Sequence, residues 1–253
     1  MGKDILTLER IDPNWLSPKN LIRIWSGRTD VYPLTPIGVK FIWQEHVSRY
    51  EFASKLSFGN VLDISCGTGY GIPLLSNDKT NHISGVDIST NATKRSIQLT
   101  NNTKGVSILR MDNNCNLGFK SESFDTIVSF ETIEHLSDPS QFVREISRVL
   151  KPNGLFIVST PNKDYFSPNK QKPLNEFHHV EFDLESFINL LGMHFRQTTM
   201  YSQGSILSEN ISGASSVKSR LKRVIGMINK SQTSIKLLSN SKPRYYVAVC
   251  SKF

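Results

Sequence analysis

The sequence predicts one α/β domain in which helices cover both faces of a largely parallel sheet. Short segments rich in branched and aromatic residues alternate with segments of helical periodicity from about residue 61 to residue 160. The chain has 253 residues, which suits one such domain with additions. Its hydrophobic content of 38% is enough to build a sizeable core.

The predicted elements follow one another without an internal repeat. Residues 1–35 are expected to be irregular because prolines interrupt them, and a helix is expected from about Pro36 to Leu56. Five strands are then predicted, at Val61–Ser65, Ile83–Ile88, Val106–Met111, Phe124–Phe130 and Leu155–Thr160. Further helices are predicted from about Ser89, over Pro139–Leu150 and over Asp183–Leu191, and two late strands over His194–Tyr201 and Tyr245–Cys250.

Positive charge is concentrated at the C-terminal end of the chain. The formal net charge is +8, and residues 210–253 contain nine Lys and Arg but no Asp or Glu. Apolar residues recur at helical spacing from Val217 to Ile228, which predicts a basic amphipathic helix. The basic segment 217–236 could contact an anionic membrane surface or RNA, or it could form only a solvated basic face.

Apolar runs and cysteine spacing argue against several classes of protein. There is neither an apolar run long enough to span a bilayer nor a charged-then-apolar leader. Cys66, Cys115 and Cys250 are too few and too widely spaced for a disulfide framework or a zinc cluster. We therefore expect a cytoplasmic protein without a transmembrane segment.

A glycine-rich turn follows the first predicted strand, at residues 65–71. Its glycines let the backbone approach a ligand closely, and the start of the next helix offers free N–H groups. The G-x-G-x-G spacing differs from the G-x-G-x-x-G of dinucleotide-binding proteins. Asp63, on the strand, would repel a pyrophosphate but attract a ligand ammonium group. The alternative is a tight turn with a structural role only.

Acidic residues also lie at the ends of the next two predicted strands. Asp87 can accept hydrogen bonds from both hydroxyls of a ribose. The alternative role for Asp87 is capping of the next helix, although Ser89 is better placed for that. Asp112 can accept from an exocyclic adenine amine. Together with Asp63, these carboxylates describe a ligand that has an amine, a ribose and an adenine but no phosphate.

From Asn60 to about Leu191 the chain resembles the class I S-adenosylmethionine-dependent methyltransferases. The glycine turn is similar to their first motif, Asp87 to their ribose acid and Asp112 to their adenine-contacting acid. Residues 150–155 resemble their L-K-P-G-G-x-L turn, with Asn153 in place of the first glycine, and asparagine tolerates left-handed backbone. The resemblance implies an enzyme of the EC 2.1.1 class with S-adenosyl-L-methionine as cofactor. It also implies a Rossmann-like, doubly wound, seven-stranded sheet with the last strand antiparallel.

The resemblance further implies the cofactor contacts and the division of the chain. Residues 45–53 resemble an E-H-x-x-R-Y-x-x-A helix of methyltransferases from bacterial polysaccharide and sugar-modifying gene sets, which closes over the cofactor and brings Arg49 or Tyr50 near its methionine carboxylate. The expected cofactor-binding residues are Asp63, Cys66, Gly67, Gly69, Tyr70, Asp87, Ile88, Asp112, Asn113, Phe130 and Arg49. The expected segments are 1–56, an irregular segment and the covering helix; 57–201, the methyltransferase core; 202–243, a basic helical insertion that forms a lid for a substrate or partner; and 244–253, the final strand.

Candidate catalytic residues follow the fourth and fifth predicted strands. The pattern E-x-x-E-H at residues 131–135 resembles ubiquinone-type O-methyltransferases, and residues 175–182 resemble an N-x-F-H-x-x-E-F segment of sugar-associated members. Methyl transfer to a hydroxyl needs an aligned acceptor and a base with a pKa near neutrality. His135 is the first choice for that base and His178 the second, with Glu134 beside them. The alternative is that His135 only orders its loop, and His179 is expected to be a packing or surface residue.

The same region could instead bind a divalent metal, although this is not the favoured prediction. In a helical turn Glu131, Glu134 and His135 would share a face. With His178 they would suit Mg²⁺, Mn²⁺ or Zn²⁺. This set resembles the small-RNA 3′-end methyltransferases, but the adjacent His178 and His179 depart from their H-x-H spacing.

The leading functional prediction is O-methylation of a sugar or another small-molecule hydroxyl in glycan or natural-product biosynthesis. A metal-assisted RNA 2′-O-methyltransferase is the second prediction, opposed by the near-neutral charge of residues 1–209. A non-catalytic S-adenosylmethionine-binding protein is the third.

Overall fold

The computed structural model describes residues 36–112, 116–204, 234–238 and 242–252. The helices are α1 (Pro36–Leu56), α2 (Ile72–Leu75), α3 (Thr90–Thr100), α4 (Pro139–Val149), α5 (Lys163–Phe166) and α6 (Leu184–Gly192), and Ile133–His135 forms a short 3₁₀ helix. The strands are β1 (Gly59–Ile64), β2 (Thr80–Asp87), β3 (Val106–Arg110), β4 (Phe124–Phe130), β5 (Leu150–Pro161), β6 (Gln197–Gln203), β7 (Lys236–Leu237) and β8 (Tyr245–Ser251).

All the strands belong to one mixed sheet with the order β3-β2-β1-β4-β5-β8-β6-β7. The first five strands are parallel to one another, and β8 runs antiparallel to both β5 and β6. The predicted Rossmann-like architecture with a reversed final strand is therefore confirmed. The described sheet has eight strands and not seven, because the two-residue strand β7 pairs with β6 at one edge.

Helices cover both faces of this sheet. Successive strand residues point to opposite faces, so that Leu62 and Val61 on β1 belong to different core clusters. One cluster holds residues of α4 and α6, such as Phe142 and Phe187. The other holds residues of α1 and α2, among them Tyr50. Both faces are thus buried, as a parallel sheet requires.

Side-chain caps begin two of the helices, and the one at Ser89 was predicted from sequence. Ser89 caps α3, where its hydroxyl accepts a hydrogen bond from the N–H of Ala92 at 3.2 Å. Asp138 caps α4 by accepting from the N–H of Gln141 at 2.9 Å, directly before Pro139. Asn153 has a φ of +61°, a left-handed backbone that asparagine tolerates, so it can replace the first glycine of the L-K-P-G-G-x-L turn that residues 150–155 resemble.

Two predicted regions lie outside the described residues: the irregular segment 1–35 and the basic helix from Val217 to Ile228. Within the described ranges, none of the helices has the length and apolar character needed to cross a membrane.

A buried ion pair joins α1 to the C-terminal strands. Nη1 of Arg244 donates to Oε1 of Glu45 at 2.7 Å, and both side chains are buried. Gly204, directly after β6, lies against this pair with a φ of +73°. A Cβ atom at Gly204 would lie 2.9 Å from Oε1 of Glu45, so a larger residue would press on the ion pair and strain the backbone.

Replacing Gly204 with alanine should lower the free energy of unfolding by about 1–3 kcal/mol, through left-handed strain and overpacking. The shift is measured as the midpoint of urea unfolding. Gly192→Ala is the matched control, because a Cβ atom there meets nothing within 4 Å and its φ is not positive. Equal midpoints for the two variants would contradict the packing described for Gly204.

Candidate functional site

The glycine turn between β1 and α2 has glycines with different roles. Gly67 has a φ of +56°, and a Cβ atom there would meet nothing within 4 Å, so this stretch of backbone is open to a ligand. A Cβ atom at Gly69 would collide with Ser96 of α3, and one at Gly71 with the ring of Tyr50 of α1. One glycine therefore leaves room beside the backbone, and the other two allow neighbouring helices to approach the turn.

Asp87 is fixed at the end of β2, beside this turn. The buried carboxylate accepts hydrogen bonds from the N–H of Gly67 at 3.0 Å and from the N–H of Ser89 at 2.8 Å, one on each oxygen. Each oxygen keeps a second lone pair, so the group could still accept hydrogen bonds from a diol. Ile88 follows with an exposed side chain, and Asp112 is exposed beyond β3. The predicted Asn113 lies outside the described residues.

Asp63 is a buried acid beneath the turn. Its oxygens accept from the hydroxyl of Tyr50 at 3.2 and 3.3 Å. Burial raises the pKa of Asp63 to about 8; the Tyr50 hydrogen bond opposes this shift and the nearby charge of Asp87 adds to it. A cation that approached Asp63 would stabilise its charged form. A cationic ligand group beside this strand would therefore lower the pKa of Asp63 and pair with its carboxylate.

Of the remaining predicted residues around the turn, Cys66 and Phe130 are buried and Tyr70 is partly buried. Burial raises the pKa of the Cys66 thiol well above its usual range, so this side chain behaves as a small apolar group. The hydroxyl of Tyr70 lies 3.0 Å from Nδ1 of His46, and its ring centroid is 4.6 Å from that of Trp43. Phe130 meets the ring of Tyr50 edge to face, with centroids 5.1 Å apart. Helix α1 thus packs directly on the turn.

Arg49 of α1 is completely buried, but its hydrogen bonds are incomplete. Its Nε donates to Oε1 of Gln203 at 2.9 Å, and its guanidinium carbon lies 4.4 Å from the ring centroid of Tyr245. Nη2 lies 3.7 Å from Oε1 of Glu131. Neither Nη1 nor Nη2 has a hydrogen-bond partner among the described residues. A buried guanidinium fork with two nitrogens that lack hydrogen bonds within the described ranges suits a ligand carboxylate, which can accept two parallel hydrogen bonds.

The structure separates the two glutamates of the E-x-x-E-H segment. The 3₁₀ helix begins only at Ile133, and Glu131 precedes it with a φ of +50°. The prediction that Glu131 shares one face with Glu134 and His135 is therefore wrong. Glu131 accepts from the hydroxyl of Ser159 at 2.6 Å and lies toward Arg49.

Glu134, His135 and His178 form a cluster, with one potential ligand atom from each lying within 4.8 Å of the others. Glu134 is buried and accepts from the hydroxyl of Thr160 at 3.2 Å. The rings of His135 and His178 meet edge to face, with centroids 4.9 Å apart. His179 is exposed, as predicted from sequence. These three residues belong to the set of four that the sequence suggested, and Glu131 lies outside the cluster.

Hydrogen bonds define the tautomers of the two clustered imidazoles. Nδ1 of His135 lies 2.8 Å from the carbonyl oxygen of Phe177, which can only accept, so this nitrogen carries a proton. Nδ1 of His178 lies 2.8 Å from Oε1 of Glu181, and the amide nitrogen of Asn175 lies 2.8 Å from its Nε2. The Asn175 oxygen accepts from the N–H of Phe177 at 3.1 Å, which fixes the orientation of the amide. In the neutral rings the lone pair is therefore on Nε2.

Comparison with known proteins decides the family. Residues 62–158 match the model of a methyltransferase domain. A Mycolicibacterium smegmatis protein described as a probable S-adenosylmethionine-dependent methyltransferase is 34% identical over 189 residues, which cover 72% of each chain. The chain belongs to the S-adenosylmethionine-dependent methyltransferases. It is an enzyme of this family, and its cofactor is S-adenosylmethionine.

More distant methyltransferases share the fold. The ubiquinone biosynthesis O-methyltransferase of Dictyostelium discoideum is 26% identical over 170 residues, or 61% of this chain and 51% of that one. The chain therefore spans about half the length of that relative. A methyltransferase structure from Thermotoga maritima has a TM-score of 0.59 at 20% identity, covering 85% of this chain and 94% of its own. At that identity the likeness concerns the fold alone.

The methyltransferase site has donors and acceptors that fit S-adenosylmethionine. The orphaned nitrogens of Arg49 suit its carboxylate, the buried Asp63 suits a cationic group, and Asp87 suits ribose hydroxyls. Gly67 leaves open space beside the backbone. When bound, this cofactor supplies a methyl group on a positively charged sulfur.

Sequence reasoning missed the partners of Arg49 in this methyltransferase. Gln203 and Tyr245 lie on the C-terminal strands, far from α1 in the chain. Glu45, which pairs with Arg244, stands in the E-H-x-x-R-Y pattern, and that pattern was the one signal in the sequence for this network.

Proposed function

We propose that this methyltransferase O-methylates a hydroxyl group of a small molecule, with a sugar or sugar-linked compound as the acceptor. The observation that carries the proposal is that hydrogen bonding leaves Nε2 of His135 able to accept a proton. Its Nδ1 proton is held by the Phe177 carbonyl, which leaves the lone pair of the neutral ring on Nε2. The residue follows β4 at the carboxyl edge of the parallel strands, where open α/β sheets bind ligands.

In this proposal His135 removes the acceptor proton. A bound cofactor would supply the methyl group, its carbon–sulfur bond breaking as the acceptor oxygen bonded to the methyl carbon, and the hydroxyl proton would pass to Nε2 of His135. His178 positions the neighbouring ring, because both of its nitrogens are engaged by Asn175 and Glu181. Glu134 supplies the negative charge that would stabilise the imidazolium formed on His135.

The proposed cofactor contacts follow from the donors around the glycine turn. Asp87 binds the ribose hydroxyls, Asp63 lies toward the amine and Arg49 binds the methionine carboxylate. The open space beside the Gly67 backbone leaves room for the cofactor. Ile88, Asp112 and Asn113 are proposed for the adenine side, whereas Cys66, Gly69, Tyr70 and Phe130 support the turn through packing.

Two features support a small-molecule acceptor. The E-H-x-x-R-Y helix and the segment at residues 175–182 resemble methyltransferases from sugar-modifying gene sets. Leu174 and Phe177 are exposed close to the histidine cluster in sequence. Apolar side chains beside a few polar groups are typical of small-molecule sites.

The acceptor class is tested with methyl-labelled cofactor. A panel of nucleotide-sugars, free sugars, catechols and a short RNA is incubated with the enzyme, and products are assigned by mass spectrometry and NMR. We expect an O-methyl product from a sugar-containing acceptor. Transfer only to nitrogen or only to RNA would overturn the proposal. Binding of S-adenosylhomocysteine without transfer to any acceptor would favour a non-catalytic cofactor-binding protein.

The cluster also supports a second candidate, metal-assisted methyl transfer. Glu134, His135 and His178 offer a carboxylate and two imidazoles within 4.8 Å, a donor set that suits Zn²⁺ or Mn²⁺. Two of these donors have a fixed second partner, as metal-binding histidines do: the Phe177 carbonyl holds His135 and the Glu181 carboxylate holds His178. A metal at Nε2 of His178 would have to displace the Asn175 amide.

Chelation separates the two candidates. If His135 acts as a base, turnover should survive dialysis against EDTA and should not increase when Mg²⁺, Mn²⁺ or Zn²⁺ is added. The measurement is the initial rate before and after dialysis, with each metal added back in turn. If dialysis abolished activity and one of these ions restored it, the proposal of a base would be replaced by that of a metal site at the same three residues.

A further inference from the structure

We infer that Gln203 is a positioning residue for cofactor recognition, because it holds the guanidinium of Arg49 in the orientation that receives a carboxylate. The inference rests on the proposed contact between Arg49 and the methionine carboxylate. Gln203 is the final residue of β6 and is buried. It is separated by 154 positions from Arg49, to which it is hydrogen bonded.

The side-chain amide of Gln203 spans one turn of α1. Its Oε1 accepts from Nε of Arg49 at 2.9 Å, and its Nε2 donates to the backbone carbonyl of Glu45 at 2.9 Å. The guanidinium can only donate and the carbonyl can only accept, so these partners allow just one orientation of the amide. Both ends of the amide are thus fixed to the helix that carries Arg49.

This contact decides which nitrogens of Arg49 remain for a ligand. Gln203 uses Nε, and the ring of Tyr245 lies 4.4 Å from the guanidinium carbon and fixes its plane. Nη1 and Nη2, which lack hydrogen-bond partners among the described residues, form the edge of the fork that binds a carboxylate in two parallel hydrogen bonds.

Gln203 also keeps Arg49 from turning fully toward a competing acid. Oε1 of Glu131 lies 3.7 Å from Nη2, beyond hydrogen-bond distance, and already accepts from Ser159. Without the bond to Nε, the long arginine side chain could rotate and pair with Glu131 directly. A ligand carboxylate would then have to displace a hydrogen-bonded ion pair in place of the looser pair that Arg49 and Glu131 form at 3.7 Å.

The backbone at Gln203 is held independently of its side chain. The N–H of Arg244 donates to the carbonyl oxygen of Gln203 at 3.1 Å, and β6 pairs with β8 along its length, Gln203 opposite Tyr245. Removing the amide should therefore change the orientation of Arg49 without displacing the strand. This independence makes a selective test feasible.

The test compares two ligands by calorimetry. S-adenosylhomocysteine carries the amino acid carboxylate, whereas 5′-methylthioadenosine has the same adenine and ribose without it. Gln203→Met, which keeps the length but not the amide, should weaken binding of S-adenosylhomocysteine about tenfold and leave that of 5′-methylthioadenosine unchanged. Gln203→Glu keeps an acceptor for Nε but loses the donor to the Glu45 carbonyl, so it should recover only part of the affinity. Gln197→Met, at the exposed start of β6, is the matched control.

The outcomes separate this inference from the proposed Arg49 contact. If Arg49→Met leaves S-adenosylhomocysteine binding unchanged, the Arg49 contact is wrong and the inference fails with it. If Arg49→Met selectively weakens binding of S-adenosylhomocysteine but Gln203→Met does not, only the inference about Gln203 is overturned. If Gln203→Met weakened binding of both ligands equally, Gln203 would have a general structural role. Gln203→Asn, whose side chain is too short to span both partners, gives the same comparison if Gln203→Met does not fold.

Discussion

Replacing His135 with alanine should lower turnover by about 10²- to 10⁴-fold, the usual contribution of a positioned general base. Affinity for S-adenosylhomocysteine should not change, because His135 follows β4 and contacts Phe177, outside the glycine turn. The two quantities are measured separately, turnover with the acceptor found in the labelling panel and affinity by calorimetry.

His179→Ala is the matched control for this variant. His179 is exposed and belongs to the same segment as His178, so its loss should leave turnover unchanged. If His135→Ala lost cofactor affinity together with turnover, the residue would be structural. If it kept full turnover on the true acceptor, the base would have to be sought elsewhere.

Replacing Asp87 with alanine should weaken binding of S-adenosylhomocysteine by about 1–3 kcal/mol, or roughly 5- to 150-fold, because ribose hydroxyls would lose their charged acceptor. The same change removes the acceptor for the N–H of Gly67, so the glycine turn should also loosen. Calorimetry gives the affinity. Asp87→Asn keeps one acceptor oxygen, so its affinity for S-adenosylhomocysteine should lie between those of the parent protein and Asp87→Ala.

Asp78→Ala is the control for Asp87. Asp78 is an exposed acid in the turn before β2, so its replacement changes the net charge equally without touching the site. If both variants bound S-adenosylhomocysteine like the parent protein, Asp87 would serve only to hold the turn and Ser89.

The fold was predictable because its main signals are local. Alternating strand and helix patterns, the cap at Ser89 and the asparagine of the 150–155 turn can each be seen in a short stretch of sequence. The two-residue strand β7 was not predicted, because its pairing with β6 depends on contact between distant segments. A strand of that length has no periodicity of its own to detect.

The candidate site was predictable in part for the same reason. Asp63 and Asp87 stand at strand ends, so topology alone brings them to one edge of the sheet. The separation of Glu131 from Glu134 depends on a left-handed backbone at a glutamate, which neither propensity nor spacing indicates. The partnership of Arg49 with Gln203 and Tyr245 arises only when α1 meets β6 and β8.

The position of β8 bears on how the enzyme is made in the cell. This strand follows every other described element in the chain, yet it lies between β5 and β6 in the sheet. While the ribosome is still synthesising residues 245–251, β6 has no neighbour through which to join the sheet, and the edge of β5 is unprotected. The nascent chain can form strands β1 to β5 first, together with Asp87, which is proposed to bind the ribose. The surroundings of the Arg49 guanidinium include Tyr245 and can be completed only after β8 has been synthesised. A chain truncated before β8 would therefore have an incomplete cofactor site and an exposed, aggregation-prone edge at β5.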